Sequence, residues 1–252
     1  LSADTGWPAG TARQVLITTD STMAEAARQA ARLPGPTWIC ALEQTAARGR
    51  RGRAWAMPPG NFAASLVLRP DGPPGQAALR SFVAALALRD ACVAATGRPG
   101  AFTLKWPNDV LLNGGKLAGI LLESMGQGGR VDHLIIGIGV NLAAAPDPAT
   151  LEPGAVPPVS LAGETGVTVT PEAFLDLLAP AYDARERQFT TLGFAPIRTA
   201  WLAHAARLGD TVTARTARDE TTGIFRDVDM EGHLVLETPK GPTRIAAADI
   251  FF

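Results

Sequence analysis

Residues 102–142 carry the feature that most limits how this chain can fold. Apolar runs at Phe102–Lys105, Val110–Leu112, Lys116–Glu123 and Val131–Leu142 are punctuated by Asn113-Gly114-Gly115 and by Gly126-Gln127-Gly128-Gly129. Turns of that composition accept positive φ and join antiparallel neighbours, so the segment must form a β-meander. Its core-facing residues need cover, and the flanking sequence supplies helices. Asp20 or Ser21 can cap a helix continuing to Arg32, which Pro34-Gly35-Pro36 stops; Gln76–Thr96 is Ala/Leu-rich and apolar nearly all round. Pro171 opens a helix to about Phe189, and Phe194–Arg207 forms another. Further strands are expected at Gln14–Thr18, Thr37–Leu42 and Phe62–Leu68, with 43–60 and the proline-rich stretch 143–158 as loops. The expectation is an α+β fold, a mixed sheet with helices packed on one face.

From Leu208 the texture changes. Short β runs alternate with Arg-Asp-Glu, Met-Glu-Gly and Lys-Gly-Pro turns. This reads as a small all-β unit, so the domains are expected at 1–207 and 208–252. With 252 residues, 46% of them hydrophobic, the chain can bury a core without disulfides. Cys40 and Cys92 both lie in apolar stretches and read as buried thiols of a reducing, cytoplasmic compartment. No export signal and no bilayer-length apolar run is present.

The net charge of −1 excludes polyanion binding by bulk charge, so the charge that matters is local. Arg48, Arg50, Arg51 and Arg53 fall within six residues, glycines between them, with no acidic residue between 44 and 70. Flexible guanidinium forks suit an anion with several oxygens better than they suit a helix or strand. Of 23 basic residues only Lys105, Lys116 and Lys240 are lysines. Lys105 opens Lys105-Trp106-Pro107-Asn108-Asp109, whose Trp before Pro favours extended backbone. Lys116 follows a tight turn, and Gly119 leaves bare backbone three residues on. Gly137-Ile138-Gly139 has no third glycine and opens no helix, so it is not a dinucleotide fingerprint; a P-loop, a Ser elbow and a local His cluster (His133, His204, His233) are missing too. The arginine loop therefore reads as an anion-binding element, with a nucleic-acid reading of the same residues still open.

DST at 20–22, EQTAARGRRGRAW at 43–55, KWPNDVLLNGGKLAGILLE at 105–123 and IGIGVN at 136–141 occur in an order and spacing that resemble the biotin protein ligases. The resemblance spans essentially the whole chain. It implies a class II synthetase-like catalytic core with a small C-terminal SH3-like β-barrel. It implies ATP and biotin as substrates, with Mg²⁺, and a biotinyl-5′-AMP intermediate. The acceptor would be a lysine on the biotin carboxyl carrier protein of acetyl-CoA carboxylase or another biotin-dependent carboxylase. By the same resemblance Ser21, Thr22 and Gln44 serve the biotin ureido ring, with Gly119 lining that pocket. Arg48, Arg50 and Arg53 close over carboxylate and phosphates. Trp55 packs on adenine, Asn108 and Asn141 touch the nucleotide, and Lys116 is the central charge between biotin carboxylate and α-phosphate. Asp109 or Glu123 is the candidate to help hold Mg²⁺. Ala47 and Met23 stand where the family has Gly and Asn. Only 19 residues precede Asp20, which implies a monofunctional enzyme without a DNA-binding domain. Pairing into a homodimer through sheet edges is open, and no membrane partner is expected. Two competing readings are a lipoate–protein ligase, with the same two steps, and a nucleic-acid-binding module using the arginine loop.

Overall fold

A computed structural model describes residues 6–147, 155–216 and 219–252; part of the expected loop 143–158 lies outside them. Seven strands form the main sheet in the order β1-β2-β3-β7-β6-β5-β4. β1 (Ala12–Thr19) and β2 (Thr37–Gln44) are parallel, joined by the crossover helix α1 (Thr22–Gln29). β3 (Phe62–Leu68) turns the rest antiparallel, and β4 (Phe102–Lys105), β5 (Asp109–Leu112), β6 (Gly115–Met125) and β7 (His133–Val140) are the expected meander. Asn113 and Gly114, at φ 50 and 84, make the β5–β6 turn.

Alternation along the strands sorts their side chains into two layers. Trp38, Cys40, Phe62, Ala64, Leu66, Ile136 and Ile138 join one large core with α3 (Arg80–Thr96), α4 (Leu161–Thr165), α5 (Pro171–Leu192) and α6 (Phe194–Leu202). Ile39, Val67 and Ile135 point the other way and pack with Met23, Ala26 and Ala30 of the α1 region. Helices therefore cover both faces, against the one-face expectation. The reason is the parallel β1–β2 pair, whose crossover has to pass over the sheet. α1 is short and covers only part of its face; the uncovered remainder becomes the site.

The expected helix 76–96 is two helices, α2 (Pro74–Ala78) and α3, which meet at Leu79. α3 is buried on nearly every side, and Gly97, at φ 68, ends it. A fully buried Leu86 or Leu88 stabilises by about 2 kcal/mol. α6 stops at Leu202, short of the expected Arg207, because 204–206 exchange backbone hydrogen bonds with Leu104 of β4. Both cysteines are free and buried, and burial pushes the Cys40 thiol up to about 12.

The second sheet is antiparallel, in the order β11-β10-β9-β8-β12. Its strands are β8 (Thr211–Arg215), β9 (Glu220–Val228), β10 (Leu234–Thr238), β11 (Gly241–Ile245) and β12 (Asp249–Phe251). It is the small SH3-like β unit expected at this end. Its Val212, Phe225 and Leu234 join the large core. The Trp106 indole N–H donates to Gly232 O at 3.0 Å, which ties this unit to the β4–β5 turn.

Candidate active site

The uncovered part of the α1 face opens into a cavity of about 710 Å³, within the range of small-molecule sites. Its floor is a ribbon of missing side chains. Gly119 of β6 pairs with Gly139 of β7, which pairs in turn with Ala63 of β3. Trp55 lies on that ribbon: a Cβ built at Gly139 would meet Trp55 Cε2 at 2.7 Å, and one at Gly119 would meet Cζ3 at 3.2 Å. Met23 covers Gly137 in the same manner, its Sδ 2.5 Å from a built Cβ, and makes this end of the floor apolar.

Lys116 and Gly119 both line the cavity although they lie three positions apart, a spacing that a regular strand sends to opposite faces. A β-bulge resolves the conflict: Leu111 pairs with Lys116 but Val110 with Ala118, so Leu117 and Ala118 both turn into the core. The Lys116 Nζ then reaches Asp109 Oδ1 at 2.9 Å and stands 5.8 Å from the Trp55 ring centre.

At the apolar end, Ser21 and Thr22 are buried at the start of α1. The Thr22 amide donates to Gln44 Oε1 at 2.7 Å, and Ser65 Oγ donates to Thr22 Oγ1 at 2.9 Å. Ser65, a polar residue in an apolar strand, is a member of this set that the sequence reading passed over. Near the opposite rim Asn141 is 2% exposed. Its Nδ2 donates to Val159 O at 3.1 Å, while its Oδ1 is buried with no partner among the described residues. A buried acceptor left open costs free energy until a donor fills it.

The arginine loop has more internal structure than its glycines suggest. Arg48 bridges to Ala54, Gly49 N donates to Arg53 O at 2.8 Å, and Trp55 N donates to Ala47 O at 3.0 Å. Arg50 reaches Asn108 Oδ1 at 3.3 Å, and both its terminal nitrogens reach Ala248 O at 3.4 Å. Asn108 also donates through Nδ2 to Ile120 O, which fixes its amide. The stretch 105–109 is a hairpin turn containing a cis Trp106–Pro107 bond, and it pairs Lys105 with Asp109.

Ser21, Thr22, Gln44, Arg48, Arg50, Arg53, Trp55, Asn108, Asp109, Lys116, Gly119 and Asn141 thus share one cavity. Glu123 does not. It is exposed on β6, one strand repeat beyond Leu121, where the cavity ends, so of the two carboxylates expected beside Mg²⁺ only Asp109 lies with the other candidates. Two charged lining residues, Lys105 and Asp249, carry no role in the sequence expectation. Lys105 stands with its Nζ 5.5 Å from the Phe252 ring centre, and burial chiefly, with Lys116 and Arg50 adding, pulls its ammonium below the ordinary value. Asp249 comes from β12 and takes Arg51 and Arg53 at 2.8 Å each and Arg50 at 3.6 Å. Burial works against its charge, but the three arginines hold its carboxyl below the usual range. The loop's acidic neighbour therefore exists, about 200 positions away. A grouping of Asp229, Glu231 and His233 lies in the β9–β10 turn, apart from the cavity.

A mixed sheet with a bare glycine floor, ringed at one end by lysine and guanidinium groups, defines a ligase-type core carrying a small β appendage. The sequence profile of the biotin/lipoate A/B protein ligase family matches residues 15–141, and that of the biotin protein ligase C-terminal domain matches 208–252. The chain belongs to that ligase family. It is 58% identical to the biotin–[acetyl-CoA-carboxylase] ligase of Paracoccus denitrificans, over 94% of this chain and 99% of that one. It is 36% identical to the bifunctional ligase/repressor BirA of Bacillus subtilis, over 94% of this chain and 71% of that one. The biotin protein ligase of Aquifex aeolicus, solved in complex with biotin and ATP, superposes with a TM-score of 0.79 at 24% identity, over 95% and 97% of the two chains. Among the described residues no helix is long and apolar enough to cross a membrane.

Proposed function

We propose that this chain attaches biotin to a lysine of a biotin carboxyl carrier protein, that of acetyl-CoA carboxylase or another biotin-dependent carboxylase, at the expense of ATP. The carrying observation is the cavity itself, with a bare apolar floor at one end and Lys116, Lys105 and Arg50 gathered at the other. In the first step a biotin carboxylate oxygen attacks the α-phosphorus, the bond to the β-phosphate breaks, and pyrophosphate leaves. In the second the carrier amine attacks the acyl carbon, AMP leaves, and the amine proton passes to solvent. Two anions must meet, so the enzyme's task is to cancel their repulsion and stabilise the charge that builds at phosphorus.

Lys116, oriented by Asp109, supplies the central cation. Arg48, Arg50 and Arg53 close over carboxylate and phosphates, and Ser21, Thr22 and Gln44 take the ureido ring. Trp55 and Asn108 serve the nucleotide, and the open Oδ1 of Asn141 fits an adenine amino donor. Of the carboxylates in the cavity, Asp109 is bonded to Lys116 and Asp249 to arginines. Asp109 is the cavity carboxylate that would help hold a Mg²⁺ ion, which would supply charge neutralisation to the phosphates. Residues 1–207 act as the catalytic unit and 208–252 as a unit that closes the pocket mouth, in the cytoplasm. A second copy would pair at the open edge β1, where Val15 and Ile17 are exposed.

ATP–pyrophosphate exchange, run with biotin, with lipoate and with no acid, tests this reading. Exchange with biotin alone is expected. Exchange with lipoate instead would transfer the mechanism to the other branch of the family, and silence with all three would leave salt-dependent nucleic-acid binding to be measured.

Arg50 joins the loop to Asn108 and to the Ala248 carbonyl, so Arg50→Gly should loosen closure. The variant is expected to release adenylate roughly 10–100 times faster, the loss of one or two charge-assisted hydrogen bonds. It should then label bystander lysines on a mixed protein sample. Labelling confined to the carrier protein would show that the loop is not the gate.

A further inference from the structure

We propose that Asp249 is a positioning residue for the arginine loop, an internal carboxylate that occupies the guanidinium groups until nucleotide phosphate takes them over. The hand-over half of this proposal rests on the ligase reading above. The latch half rests on geometry alone.

Asp249 Oδ2 receives Arg51 Nη1 and Arg53 Nη2 at 2.8 Å each, and Oδ1 faces Arg50 Nη1 at 3.6 Å. The preceding carbonyl, Ala248 O, receives both terminal nitrogens of Arg50. The first residue of β12 and the residue before it thus offer a carboxylate and a carbonyl to three guanidiniums. Carboxylate and phosphate present similar oxygen edges to a guanidinium fork, so the same donors can serve either. Charge favours an exchange of partners. Three arginines against one carboxylate leave an excess of positive charge, which a polyphosphate would balance more fully.

The surroundings favour a latch over a structural ion pair. Asp249, Ile250 and Phe251 line the cavity rather than the outer surface. β12 is three residues long and, among the described residues, pairs with β8 alone at the edge of its sheet, with Ile250 as its buried anchor. The arginine side chains stay 27–50% exposed, so these bonds form and break in contact with water. Pairs of that kind are weak one by one and sensitive to salt, which suits a contact that must be exchanged in each turnover.

The test is hydrogen exchange of the amides of residues 49–53 in the full chain, for wild type, Asp249→Asn and Asp249→Glu. Without ligand at about 0.1 M salt, Asp249→Asn is expected to exchange at least ~10-fold faster than wild type, and Asp249→Glu to restore most of the protection. Raising salt to about 1 M, where screening reaches roughly 3 Å, should bring wild type to the level of Asp249→Asn and leave that variant unchanged. A merely structural residue would not show this salt convergence, and α3 amides report whether the fold holds. With biotin and ATP, wild type and Asp249→Asn should be protected alike, because phosphate now holds the loop. Equal ligand-free exchange of wild type and Asp249→Asn would overturn the latch. Protection of wild type but not of Asp249→Asn by the ligands would overturn the hand-over. If neither protein responds to the ligands, the ligase reading fails, and the ligand-free comparison still decides the latch.

Discussion

Replacing Lys116 with alanine is expected to lower biotin-dependent ATP–pyrophosphate exchange by about 10²–10³-fold, the usual cost of removing one preorganised group that stabilises transition-state charge. The side chain is placed for that role by three independent features. The tight turn at Asn113-Gly114 starts the strand, the bulge at Leu117 turns Lys116 toward the cavity, and Asp109 holds its Nζ at 2.9 Å. The backbone is held as well, because Lys116 N donates to Pro157 O and Lys116 O accepts from Val159 N. The loss should therefore fall on turnover, with the fold intact by near-ultraviolet circular dichroism. Lys116→Arg separates charge from shape: it keeps the cation, and it should recover only part of the rate because a planar fork cannot occupy the same point. Near-normal exchange in the alanine variant would remove Lys116 from the mechanism.

The second large effect is expected at Gly139, where valine should lower affinity for biotin or for ATP by about 100-fold, equivalent to ~2.7 kcal/mol. A Cβ at this position falls within 2.7–2.9 Å of three atoms of the Trp55 ring, Cε2, Nε1 and Cζ2. A ring met at three points cannot yield by a rotamer change at its tip; the whole indole must lift from the floor. Gly137 is the internal control. A Cβ there meets Met23 Sδ and Cγ, the outer part of a flexible chain, so Gly137→Ala should cost far less. Calorimetric titration with each ligand separately reads both variants. Affinities of Gly139→Val within threefold of wild type for both ligands would mean that the glycine ribbon is not the floor of a binding site.

Much of this site is written in local sequence. The glycine turns set the meander, the meander sets which residues face each other, and so Gly119 meets Gly139 by register alone. The arginine loop and the 105–116 stretch announce their chemistry through residue types packed into short spans. What escaped is nonlocal or depends on a single irregular residue. Asp249 finds the loop only after a second sheet has folded against the first. The bulge at Leu117 shifts the register by one, which no alternation pattern announces. Glu123 falls outside the cavity because composition along a strand does not say where a cavity ends. The two-sided cover of the sheet was legible in principle. Trp38-Ile39-Cys40 and Leu134-Ile135-Ile136 are unbroken apolar runs, and such runs mark strands buried on both faces.

The placement of the three lysines bears on the enzyme's chemical self-protection. An acyl-adenylate is an electrophile that any free amine can intercept. Lys105 and Lys116 are lodged in the cavity as electrostatic fixtures, and only Lys240, on the hairpin between β10 and β11, stands exposed. The remaining 20 cationic side chains are guanidiniums, which stay protonated and do not acylate under the conditions in which amines do. Among the lysines, the outer surface thus offers the amine of Lys240 alone to an acyl-adenylate released from the cavity.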